Sequence, residues 1–247
     1  MPHIPLVIAH RGASREAPEN TLPAFEKALQ AGADGVELDI LPTKDGKLVV
    51  THNETLMELA GVKGKVKQFT LQELKKLDFG SHFSPQFKGE KIPTLEEVFE
   101  LVQGKKMINV EIKGINIRSD GREEALVKLI RRWDCAEQIV VSSFNIFALI
   151  RMAQQAPEIR RGYLFYEKQM GPSRRAGWAP LFKPYSLHVS KALVKKGTIE
   201  KYHQKGYKVW TWTVNEEKEM KSLMEQGADA IITDEPKKLI SLLKKAP

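Results

Sequence analysis

Short apolar runs, many of them β-branched, recur along this chain with amphipathic helical patterns between them, and this rhythm most limits how it can fold. The runs lie at 6–9, 35–41, 47–51, 107–112, 139–143, 161–165, 186–190, 207–214 and 229–233. Such alternation predicts βα units around a parallel sheet. A chain of 247 residues suits one eight-stranded α/β barrel, which takes about 250. Nine runs is one too many for eight strands. The tight Lys44-Asp45-Gly46 turn predicts that the second and third form an antiparallel arm.

Helix signals fit the same plan. Asn20-Thr21 is placed to cap a helix carrying Phe25, Ala28 and Leu29 on one face and stopped by Gly32. Thr70 with Glu73, and Thr94 with Glu97, match capping boxes, and Asn145, Thr198 and Asn215 read as further caps. Lys237-Lys238 and Lys244-Lys245 flank Leu239, Ile240, Leu242 and Leu243 in one amphipathic closing helix. Residues 53 to about 93, with four glycines, four phenylalanines and one short helix pattern at 71–77, break the rhythm and read as an insertion over the strand ends. The expectation is a single domain, 1–247, with this insertion. A second irregular stretch, 167–185, contains Trp178 and basic residues; it reads as a simple exposed connection, with a loop over the pocket as the alternative.

The bulk properties exclude some classes. With 42% hydrophobic and 28% charged residues there is material for a sizeable core. The net charge of +8 would attract anions, but the lysines are not interleaved with aromatics as a nucleic-acid groove requires, so nucleic-acid binding ranks last. The lone Cys135 reads as a buried thiol. No apolar run is long enough to span a bilayer, and Met1 leads almost directly into the first strand, so a soluble cytoplasmic protein without stable membrane insertion is expected.

Polar residues at strand ends carry the chemistry. Alternation in a strand puts Glu37 and Asp39 on one face and Leu38 on the other, and likewise Glu111 and Lys113 against Ile112. Taken alone, Glu37 and Asp39 would read as surface residues paired with lysines. Beside Glu111-Ile112-Lys113 and two strand-terminal histidines they read as an oxygen-rich site for a hard cation, Mg²⁺ or Ca²⁺. His10 and His52 end apolar runs and have the chemistry for proton transfer, either one as acid or base. Arg11 and Lys113 supply cations for a phosphate. His3, His82, His188 and His203 lack such company and read as hydrogen-bonding structural residues.

In order along the chain, His10-Arg11-Gly12, Glu19-Asn20-Thr21, Glu37-Leu38-Asp39, Thr43-Lys44-Asp45-Gly46, His52, Glu111-Ile112-Lys113, Trp212-Thr213-Val214-Asn215 and Ile232-Thr233-Asp234 resemble the glycerophosphodiester phosphodiesterase family. The resemblance implies a (β/α)8 TIM barrel, a small inserted subdomain after the strand bearing His52, and metal-dependent hydrolysis of glycerophosphodiesters to sn-glycerol 3-phosphate and an alcohol. It further implies one divalent ion on Glu37, Asp39 and Glu111, acid and base roles for His10 and His52, phosphate contacts from Arg11 and Lys113, and pocket or supporting roles for Asn20 and Trp212. Two positions depart from the family pattern: Asn53 stands where aspartate is common, and Glu58 lies near where arginine is expected. The rival readings are a lysophospholipid-cleaving phosphodiesterase of the same type and a catalytically silent binder of a phosphorylated polyol.

Overall fold

The structure is a computed structural model that describes residues 4–102, 104, 106–114 and 116–245; His3 lies outside them. In chain order its elements are β1 (Leu6–His10), α1 (Leu22–Ala31), β2 (Gly35–Pro42), β3 (Leu48–Val50), α2 (Met57–Ala60), α3 (Leu71–Leu74), α4 (Leu95–Val102), β4 (Met107–Ile112) and α5 (Arg122–Arg132). There follow β5 (Ile139–Ser143), α6 (Ile146–Gln155), β6 (Arg160–Phe165), β7 (Ser186–Ser190), α7 (Thr198–His203), β8 (Lys208–Trp212), α8 (Glu217–Glu225), β9 (Ala230–Thr233) and α9 (Pro236–Lys245).

Eight strands pair in parallel in the order β1-β9-β8-β7-β6-β5-β4-β2, and β2 pairs with β1 to close the barrel. This is the (β/α)8 architecture expected. The ninth strand, β3, runs antiparallel to β2 through Ile40↔Val50, Leu41↔Val49 and Pro42↔Leu48, outside the ring. Gly46, at φ 72°, makes the turn between them possible.

Alternation along each barrel strand sorts its side chains. Val36, Leu38 and Ile40 of β2, and Val110 and Ile112 of β4, join the helix-facing core with Phe25, Leu95, Phe99 and Leu126. Each fully buried side chain of this size contributes about 1.5–3 kcal/mol. A charge at Leu38, 0% exposed, would therefore break the packing of α1 and α4 on the sheet. The barrel interior is closed off by a separate cluster of Ile8, Val140, Trp210, Ala230 and Ile232. That cluster leaves the C-terminal strand ends to polar residues.

The segment between β3 and β4 has its own small core of Leu41, Val49, Leu56, Val66, Leu74, Phe79 and Ile92. It holds one α-helix and two short 3-10 turns, Val66–Gln68 and Pro85–Phe87, more than the sequence pattern predicts: α2 is a single turn, stopped by Gly61 at φ 67°. A four-residue helix is too short to show a 3.6-residue apolar period, and its burial falls on its N-cap Leu56. The expected capping boxes at Thr70/Glu73 and Thr94/Glu97 are formed, and Asn145 accepts from the Phe147 amide. Thr198 is not a cap: Gly197 takes that position, and the Thr198 hydroxyl accepts from the Lys195 amide. Trp178 in the 167–185 stretch packs against the main core and donates to Ser173 Oγ at 3.1 Å, consistent with a connection folded onto the barrel. No helix among the described residues is long and apolar enough to cross a membrane.

Candidate active site

The parallel register assembles the site. β1 against β2 sets His10 beside Glu37, and β2 against β4 sets Asp39 beside Glu111. Glu37, Asp39 and Glu111 are all buried, and each offers a carboxylate oxygen within 4.8 Å of the others. Burial, then repulsion from Asp39, pushes the Glu111 carboxyl up to about 7. The same two influences raise Glu37 well above the usual carboxylate range. Burial acts to raise Asp39 too, but Lys113, Arg11 and His52 outweigh it and hold that carboxyl below its ordinary value. Three buried acids that resist sharing negative charge make a cradle suited to a divalent cation, and an all-oxygen donor set matches a hard one.

The loop after β1 is sharply bent. Gly12, at φ 85°, passes so close to α1 that a Cβ there would meet the Ala24 backbone carbon at 2.6 Å, so no other residue fits without a shift. Arg11 and Asn20 are also left-handed, at φ 55° and 58°, and the Asn20 amide donates to the Arg11 carbonyl at 2.9 Å. This turn aims the Arg11 amide at Glu37 Oε2 (3.1 Å) and its guanidinium at Glu19 (2.9 Å) and Asp39 (3.4 Å). Lys113 Nζ sits between Glu111 (3.0 Å) and Asp39 (3.4 Å).

Two openings meet at these groups. A cavity of about 240 Å³ is lined by His10, Arg11, Glu37, His52, Glu111 and Lys113 on one side, and by Phe144, Leu164 and Trp212 on the other. Trp212 is fixed by its Nε1–H donating to the His188 carbonyl at 2.9 Å and by an edge contact with Phe144. A wider cleft of about 460 Å³ shares Arg11 and His52 and extends along Ser14, Glu19, Asn53, Glu58 and Phe83. No residue of 167–185 lines either space.

The structure thus brings together His10, His52, Arg11, Lys113, Trp212, Glu37, Asp39 and Glu111. Asn20, expected in a pocket or supporting position, lies behind Asp39: it donates to Asp39 Oδ2 at 3.0 Å and lines neither space. His188 is fully buried, stacked on Trp210 and bonded to Ser186. His203 pairs with Asp229, which precedes β9 and so lies at the N-terminal strand ends, away from the site.

Sequence reasoning missed the partner of His10. Asp234, just after β9, meets His10 Nδ1 at 2.6 Å and accepts from Ser14 Oγ and Asn215 Nδ2. Burial works to raise its carboxyl, but the hydrogen bond and charge of His10 bring it down to about 2. Asn215 is not a cap for α8; its side chain accepts from Thr233 Oγ1 and the Asp234 amide and so braces Asp234. Two signals pointed at the residue without naming its partner: Asp234 ends an apolar run, as His10 and His52 do, and it closes the Ile232-Thr233-Asp234 motif of the resemblance.

Residues 10–238 match the model of the glycerophosphoryl diester phosphodiesterase family. The chain belongs to this family. A glycerophosphodiester phosphodiesterase of Caldanaerobacter subterraneus subsp. tengcongensis is 43% identical over 97% of this chain and 98% of its own length. An Oleispira antarctica phosphodiesterase, solved in complex with the product sn-glycerol 3-phosphate, superposes with a TM-score of 0.86 at 32% identity over 98% of both chains. A human lysophospholipase D is 31% identical over 96% of this chain and 85% of its own length.

Proposed function

We propose that this family member hydrolyses glycerophosphodiesters to sn-glycerol 3-phosphate and an alcohol, with its own residues in the following roles. The observation that carries the reading is the buried carboxylate trio flanked by two imidazoles at the mouth of one barrel. Glu37, Asp39 and Glu111 hold one divalent ion, Mg²⁺ or Ca²⁺; when bound, it supplies Lewis acidity toward the phosphate oxygens. Asn20 keeps Asp39 oriented. Arg11 and Lys113 line the same cavity and present their cationic heads to the phosphate, while Trp212 shapes the far wall.

The two imidazoles divide the proton transfers. Burial lowers the His52 pKa, so this ring enters uncharged and accepts the proton of the attacking oxygen. His10 is oriented by the contact of its Nδ1 with Asp234, and it gives its Nε2 proton to the departing alkoxide. Cleavage breaks one P–O bond and forms another, and each proton taken at one histidine is matched by one given at the other.

The chain works as one domain over residues 1–247, with 53–93 inserted, on a small-molecule substrate in the cytoplasm and without nucleic acid. The lysophospholipid reading is not favoured, because the Trp178 stretch that would add an apolar wall lines neither opening. A silent binder is disfavoured by the intact pair of histidines.

The test is release of sn-glycerol 3-phosphate from glycerophosphocholine with and without chelator, for the parent, His10→Ala, His52→Ala and Glu37→Ala. Chelation and Glu37→Ala should each remove nearly all turnover, and each histidine variant about 10²–10⁴-fold. Full turnover in chelator, or in either histidine variant, defeats the corresponding role.

A further inference from the structure

His52 does not rest on a carboxylate. Its Nδ1 lies 2.8 Å from Asn53 Oδ1, and Asn53 Nδ2 donates to Glu58 Oε2 at 2.6 Å. Glu58 sits in the single turn of α2, whose N-cap Leu56 is sunk in the core of the inserted segment, so the exposed carboxylate is carried on an anchored support. It makes no ion pair among the described residues; its hydrogen bond there is to Asn53.

We propose that Glu58 is a positioning residue that acts through Asn53 to fix the ring tautomer of His52. The argument is one of donors and acceptors. A carboxylate only accepts, so the Asn53 NH₂ must face Glu58 and the Asn53 carbonyl oxygen must face His52. Exchanging the two ends of the amide would set two acceptor oxygens at 2.6 Å with no proton between them. A carbonyl oxygen also only accepts, so His52 must carry its proton on Nδ1. In the neutral ring Nε2 then has a free lone pair, and the ring lines both openings where the attacking oxygen would lie. Without Glu58 the amide can turn over, and the other tautomer, with no lone pair on Nε2, becomes available. That fraction of the enzyme cannot accept a proton there.

The inference rests on the proton-accepting role proposed for His52, but its main readout does not need turnover. ¹⁵N-labelled imidazole spectra of the metal-loaded protein report the tautomer of each neutral histidine, with His52→Gln identifying the His52 signals. The wild type is expected to show Nδ1–H alone at His52. Glu58→Gln keeps the size of the exposed side chain but can donate as well as accept, so it should give a mixed tautomer and lower kcat up to about tenfold, with KM for glycerophosphocholine within about twofold. Adding Asn53→Asp restores an acceptor-only group at His52, and the double variant should regain the single Nδ1–H tautomer and most of kcat. An unmixed tautomer or an unchanged kcat in Glu58→Gln overturns the proposal, as does failure of the double variant to recover the Nδ1–H form. Wild-type turnover by His52→Ala would instead sink the proton-accepting role and leave the tautomer result standing.

Discussion

The two histidines that line one cavity are supported in opposite ways. His10 stands on the barrel itself: its partner Asp234 follows β9 and is braced by Ser14 and by Asn215. His52 stands at the edge of the inserted segment and is held by a neutral amide that leans on a surface carboxylate. The first partner is a half-buried carboxylate that His10 helps to keep ionised, and the second is an uncharged amide. On the roles proposed above, this contrast in support is what would set a proton donor apart from a proton acceptor.

The largest expected effect tests that asymmetry. Asp234→Ala removes the only carboxylate hydrogen-bonded to His10 among the described residues and should lower kcat on glycerophosphocholine about 10²–10³-fold, while Asn53→Ala should cost only about tenfold. Equal losses measured side by side would erase the distinction.

A second comparison sets the carboxylate cradle against the Asp234 site. Glu37 and Glu111 have folded-state pKa values raised above their unfolded ones, Glu111 to about 7, so in metal-free protein they retain protons that the unfolded chain has released. Stability should therefore fall as pH rises from about 4.5 to 7. Asp234 and Asp39 are lowered and contribute in the opposite sense, but their contribution is complete by about pH 5. Thermal melts in chelator should show Tm declining between pH 5 and 7.5 by about 5 °C, and Mg²⁺ or Ca²⁺ should abolish the decline. A flat metal-free profile would mean that the three acids do not share a desolvated site.

The smallest effect concerns the brace. Asn215→Ala leaves Asp234 in place but frees it to turn, which should reduce kcat about three- to tenfold and stability by about 1 kcal/mol. Glycerophosphocholine kinetics and a denaturant titration read both; no change in either would reduce Asn215 to a bystander.

The barrel and its carboxylate cradle can be read from the chain because both follow from a period of two. A strand that must bury Leu38 on helices has to turn Glu37 and Asp39 inward, and the β2–β4 register does the rest. Asp234 stands out in the chain only as the end of the Ile232-Thr233-Asp234 motif; its pairing with His10 is not legible, because one aspartate after one strand carries no periodic signal and the contact spans 224 residues. Asn215 was mistaken for a cap because the short amide that satisfies a free helix N–H is equally able to satisfy the Asp234 amide. The Asn53–Glu58 pair was visible only as two departures from a pattern; that they compensate for one another is a matter of a single helical turn bringing them to 2.6 Å.

The hairpin strand β3 has a further consequence. The ladders that set Glu37, Asp39, Glu111 and His10 run β1–β2–β4, and β3 is in none of them. His52 is tied to that frame by three residue pairs with β2 and by the Thr51 amide on the Asp39 carbonyl at 2.9 Å. Losing competence and losing the fold are therefore separable events. A fluctuation that drew Leu48 and Val50 out of the main core and broke the Val50–Pro93 hydrogen bond would take away one of the two imidazoles while the ring of eight strands stayed closed, leaving a folded molecule that waits on its hairpin.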